Sequence, residues 1–157
     1  MEVVVFKLDA QRFGLLVAEV QEVVRAVALA PLPKAPLIVE GVINARGRLV
    51  PVLDVRARFR LPPRSPSPSD FFVLARAGER LVALRVDAGV HLVQLAVGDV
   101  ESLEQVVSGA GYVSGVGKLP DGLVLIHDLR TFLASAEAAQ LDEALHAGDA
   151  SSGERTR

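Results

Sequence analysis

Few side chains of this chain have the type and spacing that catalysis or metal binding requires. The three histidines, His91, His127 and His146, are scattered, and cysteine is absent, which excludes disulfides, thiolate metal sites and a cysteine nucleophile. His127 and Asp128 are adjacent, but neighbouring residues of a strand point to opposite faces and cannot hold one ion together. We therefore predict no catalytic residue, no metal site and no cofactor, and we do not expect an enzyme.

A glycine-rich segment at residues 109–115 is the nearest approach to a nucleotide-binding loop. It reads GAGYVSG, which is one residue longer than the dinucleotide fingerprint. It also precedes a predicted strand, whereas pyrophosphate binding uses a loop that opens a helix. We interpret these glycines as turn residues.

The densest basic stretch lies between residues 46 and 64, although the whole chain has a net charge of −2. A nucleic-acid footprint needs a strongly basic domain with aromatic stacking residues, whereas this chain has one tyrosine and no tryptophan. We favour a solvated arginine face and predict no nucleic-acid partner; an SH3-like nucleic-acid-binding module is the alternative. The arginines concerned are Arg46, Arg48, Arg56, Arg58, Arg60 and Arg64.

The apolar segments of the chain are short. The N-terminal decapeptide MEVVVFKLDA carries an acid at its second position and does not resemble a secretory signal. No apolar run approaches the ~18 residues of a membrane-spanning helix. We expect a cytoplasmic protein without direct membrane insertion.

The elements that must position any site include a segment that the chain contains twice. Residues 39–59 and 113–133 align without a gap, and seven of 21 positions are identical. A repeat of this kind indicates one supersecondary unit built twice, so shared residues are expected to be scaffold. Asn44, Arg46 and Gly47 occur in the first copy alone, which makes them the candidates for function.

Short segments rich in Val and Leu, bounded by Gly, Pro or charged residues, predict a mainly β fold of small barrels or a sandwich. Asp54 and Asp128 follow strands at equivalent positions, where each is expected to cap a short helical turn. The predicted strands are 3–8, 13–20, 22–29, 41–46, 49–54, 71–76, 80–86, 90–97, 111–117 and 122–127.

Two further segments divide the chain. Residues 61–70 contain four prolines, which cannot continue a helix or a sheet ladder, so they predict a connector between two similar β-subdomains. From Ser135 the sequence favours a helix that stops at Gly148, followed by a disordered polar tail at 149–157. Residues 101–108 are a second helical candidate.

An ordered set of motifs in the first 60 residues resembles the CheW family of bacterial chemotaxis adaptors. The set runs VQEV at 20–23, LPKAP at 32–36, GVINARG at 41–47 and VPVLDVR at 50–56. The second half agrees at 84–87, 113–116 and 123–129. The likeness covers about residues 3–145, with Ala45 in place of the commoner Leu and His127 in place of an aliphatic residue.

The resemblance implies two small five-stranded SH3-like β-barrels with short helices and a C-terminal helix. We predict a single CheW-like domain at 1–148, with subdomain one at about 14–65, subdomain two at about 70–130, and terminal segments packing across.

The resemblance also implies a non-catalytic adaptor, recruited to receptor arrays, that couples a CheA-type histidine kinase to methyl-accepting receptors. One barrel would bind the kinase regulatory domain, the groove between barrels would receive the receptor tip, and other CheW-like domains would join in arrays. An adaptor for a pathway controlling type IV pili, gliding or development is the alternative. The partner-binding positions carried over are Val20, Glu22, Gly41, Asn44, Arg46 and Gly47.

Overall fold

The fold is mainly β, seen in a computed structural model that describes residues 1–87, 89–102 and 113–155. In the first half, the strands are β1 Glu2–Leu8, β2 Gln11–Leu16, β3 Val20–Arg25, β4 Val39–Ala45 and β5 Arg48–Leu53. In the second half they are β6 Phe71–Ala77, β7 Arg80–Val86, β8 His91–Gln94, β9 Val100–Ser102, β10 Val113–Leu119 and β11 Gly122–His127. The helices are α1 Val55–Arg58 and α2 Ser135–Arg155, with 3₁₀ turns at Val17–Glu19, Val97–Asp99 and Leu129–Thr131.

The strands form two SH3-like barrels that exchange a hairpin. One sheet has the order β3-β6-β7-β5-β4 and the other β8-β1-β2-β11-β10-β9. The first barrel thus takes the hairpin β6–β7 from the second half of the chain, and the second barrel takes β1–β2 from the first half. This corrects the predicted subdomain boundaries of 14–65 and 70–130, because strands at 71–86 belong to the first barrel. The second sheet also has six strands where five were expected.

Apolar side chains pack in three clusters. One fills the interior of the first barrel around Phe72 and Leu74, and another fills the second barrel around Val3 and Val124. The largest lies between the sheets and includes Phe6, Phe13, Leu53, Val73, Leu84 and Phe132. Strands β6 and β7 are therefore covered on both faces, which explains their nearly continuous apolar sequences.

The two copies of the repeat build the same local frame. In each, the antiparallel hairpin has a register shift beside a glycine, Gly41 in the first copy and Gly115 in the second. In each, the second strand of the hairpin pairs in parallel with an exchanged strand, β5 with β7 and β11 with β2. The predicted caps are confirmed, because Asp54 accepts from the amide of Ala57 at 3.1 Å and Asp128 from that of Arg130 at 3.1 Å.

The C-terminal helix is longer than predicted. It continues through Gly148 to Arg155, so the predicted stop at Gly148 and the disordered tail from 149 are wrong as far as 155. A glycine inside a helix costs about 1 kcal/mol relative to alanine but keeps its amide donor, so it does not by itself end a helix. The helical candidate at 101–108 lies largely outside the described residues, and positions 101 and 102 belong to β9. Among the described residues, no helix has the length and apolar character needed to cross a membrane.

Candidate functional site

The tip of the β4–β5 hairpin presents three of the predicted site residues. Arg46 and Gly47 occupy the two-residue turn between Ala45 and Arg48, with φ angles of 54° and 84°. Positive φ at both central residues is what a type I′ turn requires. The Asn44 side-chain oxygen accepts a hydrogen bond from the Gly47 amide at 2.8 Å. Asn44 thus fixes the turn that projects Arg46, and Gly47 supplies the backbone conformation.

Arg46 is tied to Glu22 across the two edge strands of the first barrel. Its Nη2 lies 2.8 Å from the Glu22 Oε2, and its side chain is 82% exposed against 26% for Glu22. Strands β3 and β4 stand at opposite edges of the sheet order, so the sheet must curl to bring these residues together. An exposed pair of this kind contributes about 0–1 kcal/mol to folding. Its larger effect is to hold an exposed guanidinium in one direction.

A bulge in β3 places Val20 and Glu22 on opposite faces of the strand. Val20 pairs with Ala75 and Glu22 with Leu74, which leaves Gln21 without a register partner. Ala75 packs in the core between the sheets and Leu74 in the first barrel interior. In a regular strand, residues two apart would share a face. The bulge instead turns Val20 toward the space between the barrels and Glu22 toward the hairpin tip.

Gly41 supports the hairpin from within and is buried. A Cβ at this position would lie 2.6 Å from the carbonyl oxygen of Ala30, which is closer than two such atoms can approach. Ala30 and Val42 exchange backbone hydrogen bonds at 2.8 and 2.9 Å. The absent side chain of Gly41 therefore lets the segment after β3 pair with β4 and close the barrel. The structure places Gly41 in this framework and not on an exposed surface.

A mostly apolar groove of about 480 Å³ lies between the barrels. Val23 on β3 and Leu92 on β8 remain 38% and 64% exposed there, which is unusual for large aliphatic side chains next to one another. Val20 lies on the same wall as Val23. The full lining is Val4, Val17, Val20, Val23, Phe71, Gly89, Val90, His91 and Leu92. The geometry therefore separates the predicted site into a polar hairpin tip and an apolar groove.

Of the groove residues, sequence reasoning identified Val20 and missed Val23, Phe71 and Leu92. These three are apolar residues of the kind found in any strand. Their position in the groove depends on how the two barrels pack together, which the local sequence does not show. The VQEV segment at 20–23 did carry a usable signal, because Val23 directly follows Glu22 in the sequence. Phe71 and Leu92 carry no comparable local signal.

The arginine stretch is solvated in part: Arg46, Arg48, Arg60 and Arg64 are exposed as predicted, whereas Arg56 is buried and Arg58 is half-buried. The side chain of Arg56 is 4% exposed and donates to Asp9 at 2.9 Å and to Asp87 at 2.8 Å. Arg58 binds Glu137 at 2.8 Å, and Arg64 binds Asp70 and Asp87. Together with Arg46, four of the six arginines are paired with carboxylates, which competes directly with phosphate binding.

These ion pairs fasten the proline-rich connector to the first barrel. Arg85 on β7 donates to Asp70 at 3.1 Å and to the carbonyl oxygen of Arg64 at 2.9 Å. It also binds Glu40, the residue left unpaired by the bulge in β4, at 2.9 Å. Burial raises the pKa of Glu40, and the hydrogen bond and charge of Arg85 oppose that rise. The connector is therefore held by charge-assisted contacts beneath the hairpin.

His127 lies among aromatic rings and serves packing. Its ring centroid is 5.5 Å from that of Phe6, 5.1 Å from Phe13 and 4.7 Å from Phe59. Neither ring nitrogen has a hydrogen-bond partner among the described residues. Burial lowers the pKa of His127 to about 3, so the ring is neutral at physiological pH. Asp128, which the sequence places beside it, caps the following turn instead.

Several known proteins are similar to this chain in sequence, and one solved structure is similar in fold. The "Chemotaxis protein CheW" of Treponema pallidum (strain Nichols) is 26% identical over 146 residues, covering 89% of this chain and 86% of that protein. The solved structure of scaffolding protein TtCheW from Thermoanaerobacter tengcongensis superposes with a TM-score of 0.78 at 29% identity, covering 87% of this chain and 94% of that chain. "Protein FrzA" of Myxococcus xanthus is 37% identical over 65 residues, covering 38% of this chain and 41% of that protein.

A family match agrees with these likenesses and with the fold. Residues 2–137 match the model of the CheW-like domain, which takes in both barrels, the hairpin tip and the groove. The resemblance based on the motifs at 20–56, and on the agreeing segments of the second half, is thereby confirmed. The chain belongs to the family of CheW-like domains.

Proposed function

We propose that this protein is a non-catalytic adaptor that couples a CheA-type histidine kinase to methyl-accepting chemoreceptors in chemotaxis. The observation that carries the proposal is the hairpin tip, where Glu22 and Asn44 hold an exposed Arg46 in one direction. Membership of the CheW-like domain family and similarity to a protein described as a scaffolding protein support it.

The hairpin tip has the properties of a site for a protein partner. Arginine is enriched at protein interfaces and presents its donors in a planar fork that matches a carboxylate. Because Glu22 already restricts the rotamers of Arg46, less side-chain entropy remains to be lost on binding. We assign this tip to the regulatory domain of the kinase.

The groove between the barrels suits a different partner. Most of its lining is aliphatic, with Phe71 and His91 among the other residues, and Val23 and Leu92 remain exposed. An amphipathic helix that lays its apolar face into such a groove would cover both residues. We assign the groove to the hairpin tip of a receptor coiled coil, recruited at the membrane-associated array.

A charge reversal at the hairpin tip tests the kinase assignment. We expect Arg46→Glu to reduce co-purification with the kinase regulatory domain at least tenfold while the melting temperature changes little, because the side chain is exposed. Arg130→Glu is the matched control, since Arg130 is 80% exposed and belongs to the other barrel. Kinase binding by Arg46→Glu equal to that of wild type would remove the hairpin tip from the proposal.

The double variant Glu22→Arg with Arg46→Glu tests whether Arg46 contacts the kinase directly or only supports the barrel through its ion pair with Glu22. The swap can restore the ion pair in reverse, and so the local geometry, but it leaves a carboxylate where the partner meets a guanidinium. We expect kinase binding to stay weak in the double variant. Full recovery would show that the pair supports the barrel and does not itself touch the kinase.

A second pathway is consistent with the same site. Similarity to FrzA favours considering an adaptor for pili, gliding or development, because the same two surfaces would serve either pathway. Gene neighbourhood separates them: flagellar genes beside this one favour chemotaxis by swimming, and type IV pilus genes favour the other.

A further inference from the structure

A positively charged side chain, that of Arg25, lies beside one wall of the groove. Arg25 is the last residue of β3, and its register partner across the sheet is Phe71 of β6. Paired residues of an antiparallel ladder project to the same face, and the guanidinium carbon of Arg25 lies 6.0 Å from the centroid of the Phe71 ring. Phe71 itself lines the groove. Arg25 therefore stands over an aromatic wall residue with its side chain exposed.

Arg25 differs from most arginines of the chain, because the part of the chain that the structure describes offers it no acidic partner. Among the described residues, eight arginines form an ion pair with a carboxylate, and Arg25 is not one of them. The described lining of the groove contains no aspartate or glutamate either. The region thus combines an uncovered apolar surface with a positive charge that nothing described on this chain neutralises.

We propose that Arg25 selects a groove occupant whose apolar residues lie beside an acidic side chain. This inference rests on the proposed function, since the occupant is taken to be the receptor hairpin tip. It adds the chemistry that the groove requires of that tip: a carboxylate placed to meet Arg25 at the Phe71 end of the groove.

The physical basis is the position of the guanidinium over the Phe71 ring. The face of the ring attracts the positive charge of the guanidinium, and the planar fork of N–H donors can bind a carboxylate. Burial of neighbouring apolar surface by the occupant would remove water from this contact, and a charge-assisted hydrogen bond is strengthened in such surroundings. A lysine would keep the charge but lose the planar fork.

The experiment measures binding of a soluble receptor hairpin fragment from the same genome by titration calorimetry at low and high salt. We expect Arg25→Glu to weaken binding at least tenfold at low salt, Arg25→Lys to weaken it about threefold, and added salt to narrow both differences. Arg76→Glu is the matched control, because Arg76 is an exposed arginine of β6 that lies five residues from Phe71, toward the other end of the strand. It should bind within about twofold of wild type.

A second set of variants locates the carboxylate and guards against misfolding. Each acidic residue of the receptor fragment is changed in turn to lysine, and one of these changes should restore binding to Arg25→Glu. Val23→Asp tests the groove itself and should abolish binding, while the melting temperature of every variant reports on the fold.

The outcomes distinguish this inference from the proposed function. If Arg25→Glu binds as wild type while Val23→Asp does not, the groove is a docking site and Arg25 does not select its occupant. If both variants bind as wild type, the receptor uses another surface and the inference also fails. If the wild-type chain binds neither the receptor fragment nor the kinase regulatory domain, the proposed function fails with it.

Discussion

The two copies of the repeated unit share a frame and differ at their tips. Both hairpins carry a bulge followed by a glycine where a Cβ would lie too close to a backbone carbonyl oxygen, at 2.6 Å for Gly41 and 2.9 Å for Gly115. The tip of the first holds Arg46 in a turn of positive φ. The tip of the second holds Pro120 and Asp121, and Asp121 binds Arg12 at 3.1 Å. The frame is set by barrel closure, whereas the tip is free to vary.

Two further equivalent pairs differ, one in burial and the other in residue type. Arg56 is buried in an ion-pair network, while its counterpart Arg130 is 80% exposed and forms an ion pair with Asp128, two residues earlier. Leu53 packs in the core between the barrels, and the equivalent residue of the second copy, His127, is buried as well but is polar. A shared residue type therefore does not imply a shared role, and a changed residue type does not imply a functional site.

The largest difference between the copies should appear when each arginine is removed. We expect Arg56→Met to lower the free energy of unfolding by about 3 kcal/mol, because it leaves the carboxylate of Asp9 without its cation and Asp87 with Arg64 as its remaining arginine partner. Arg130→Met should change it by no more than about 0.5 kcal/mol. Denaturant unfolding of both variants measures the contrast, and equal losses would contradict the distinction between them.

The second contrast concerns His127 and depends on pH. The folded-state pKa of about 3 lies below the ordinary value of 6.5, so between these values the unfolded state binds a proton that the folded state does not. Stability must then fall as the pH is lowered through this window. At pH 5 the loss relative to neutral pH should be about 2 kcal/mol.

The contribution of His127 to this pH dependence can be tested by substituting leucine, the residue at the equivalent position of the first copy. We expect His127→Leu to remain folded and to lose less stability than wild type between pH 7 and pH 5, by about 2 kcal/mol. His91→Leu is the control, since His91 is exposed. Unfolding curves at several pH values decide the matter; parallel pH profiles for wild type and His127→Leu would show that His127 is not the group responsible.

Local sequence patterns predicted the elements and the caps of this fold well. Short segments rich in Val and Leu predicted every strand except β9, and Asp54 and Asp128 cap the turns after the strands as expected. Such features depend on residues within a few positions of one another. The burial of Arg56 could not be predicted in this way, because its partners Asp9 and Asp87 lie 47 and 31 residues away.

The same reason explains what was missed at the candidate site. The hairpin exchange between the barrels depends on which strands pair with one another. The sequence of a strand indicates which of its side chains are buried, but it does not indicate which strands lie beside it. The bulge at Gln21 arises from register with β6, so the opposite directions of Val20 and Glu22 could not be inferred from their spacing. Gly41 was assigned to partner binding because it belongs to the motif, although its close approach to Ala30 gives it a place in barrel closure.

The smallest contrast lies at the equivalent positions 44 and 118, one residue before the end of each hairpin's first strand. Asn44→Ala removes the acceptor of the Gly47 amide and should lower the free energy of unfolding by about 1 kcal/mol. Lys118→Ala removes an exposed pair with Glu101 and should produce no measurable loss by denaturant unfolding. We also expect Asn44→Ala to weaken kinase binding, because Arg46 loses the rigid turn that projects it. Weak binding with unchanged stability would instead mean that Asn44 touches the partner directly, and the first hairpin would then differ from the second by two contact residues.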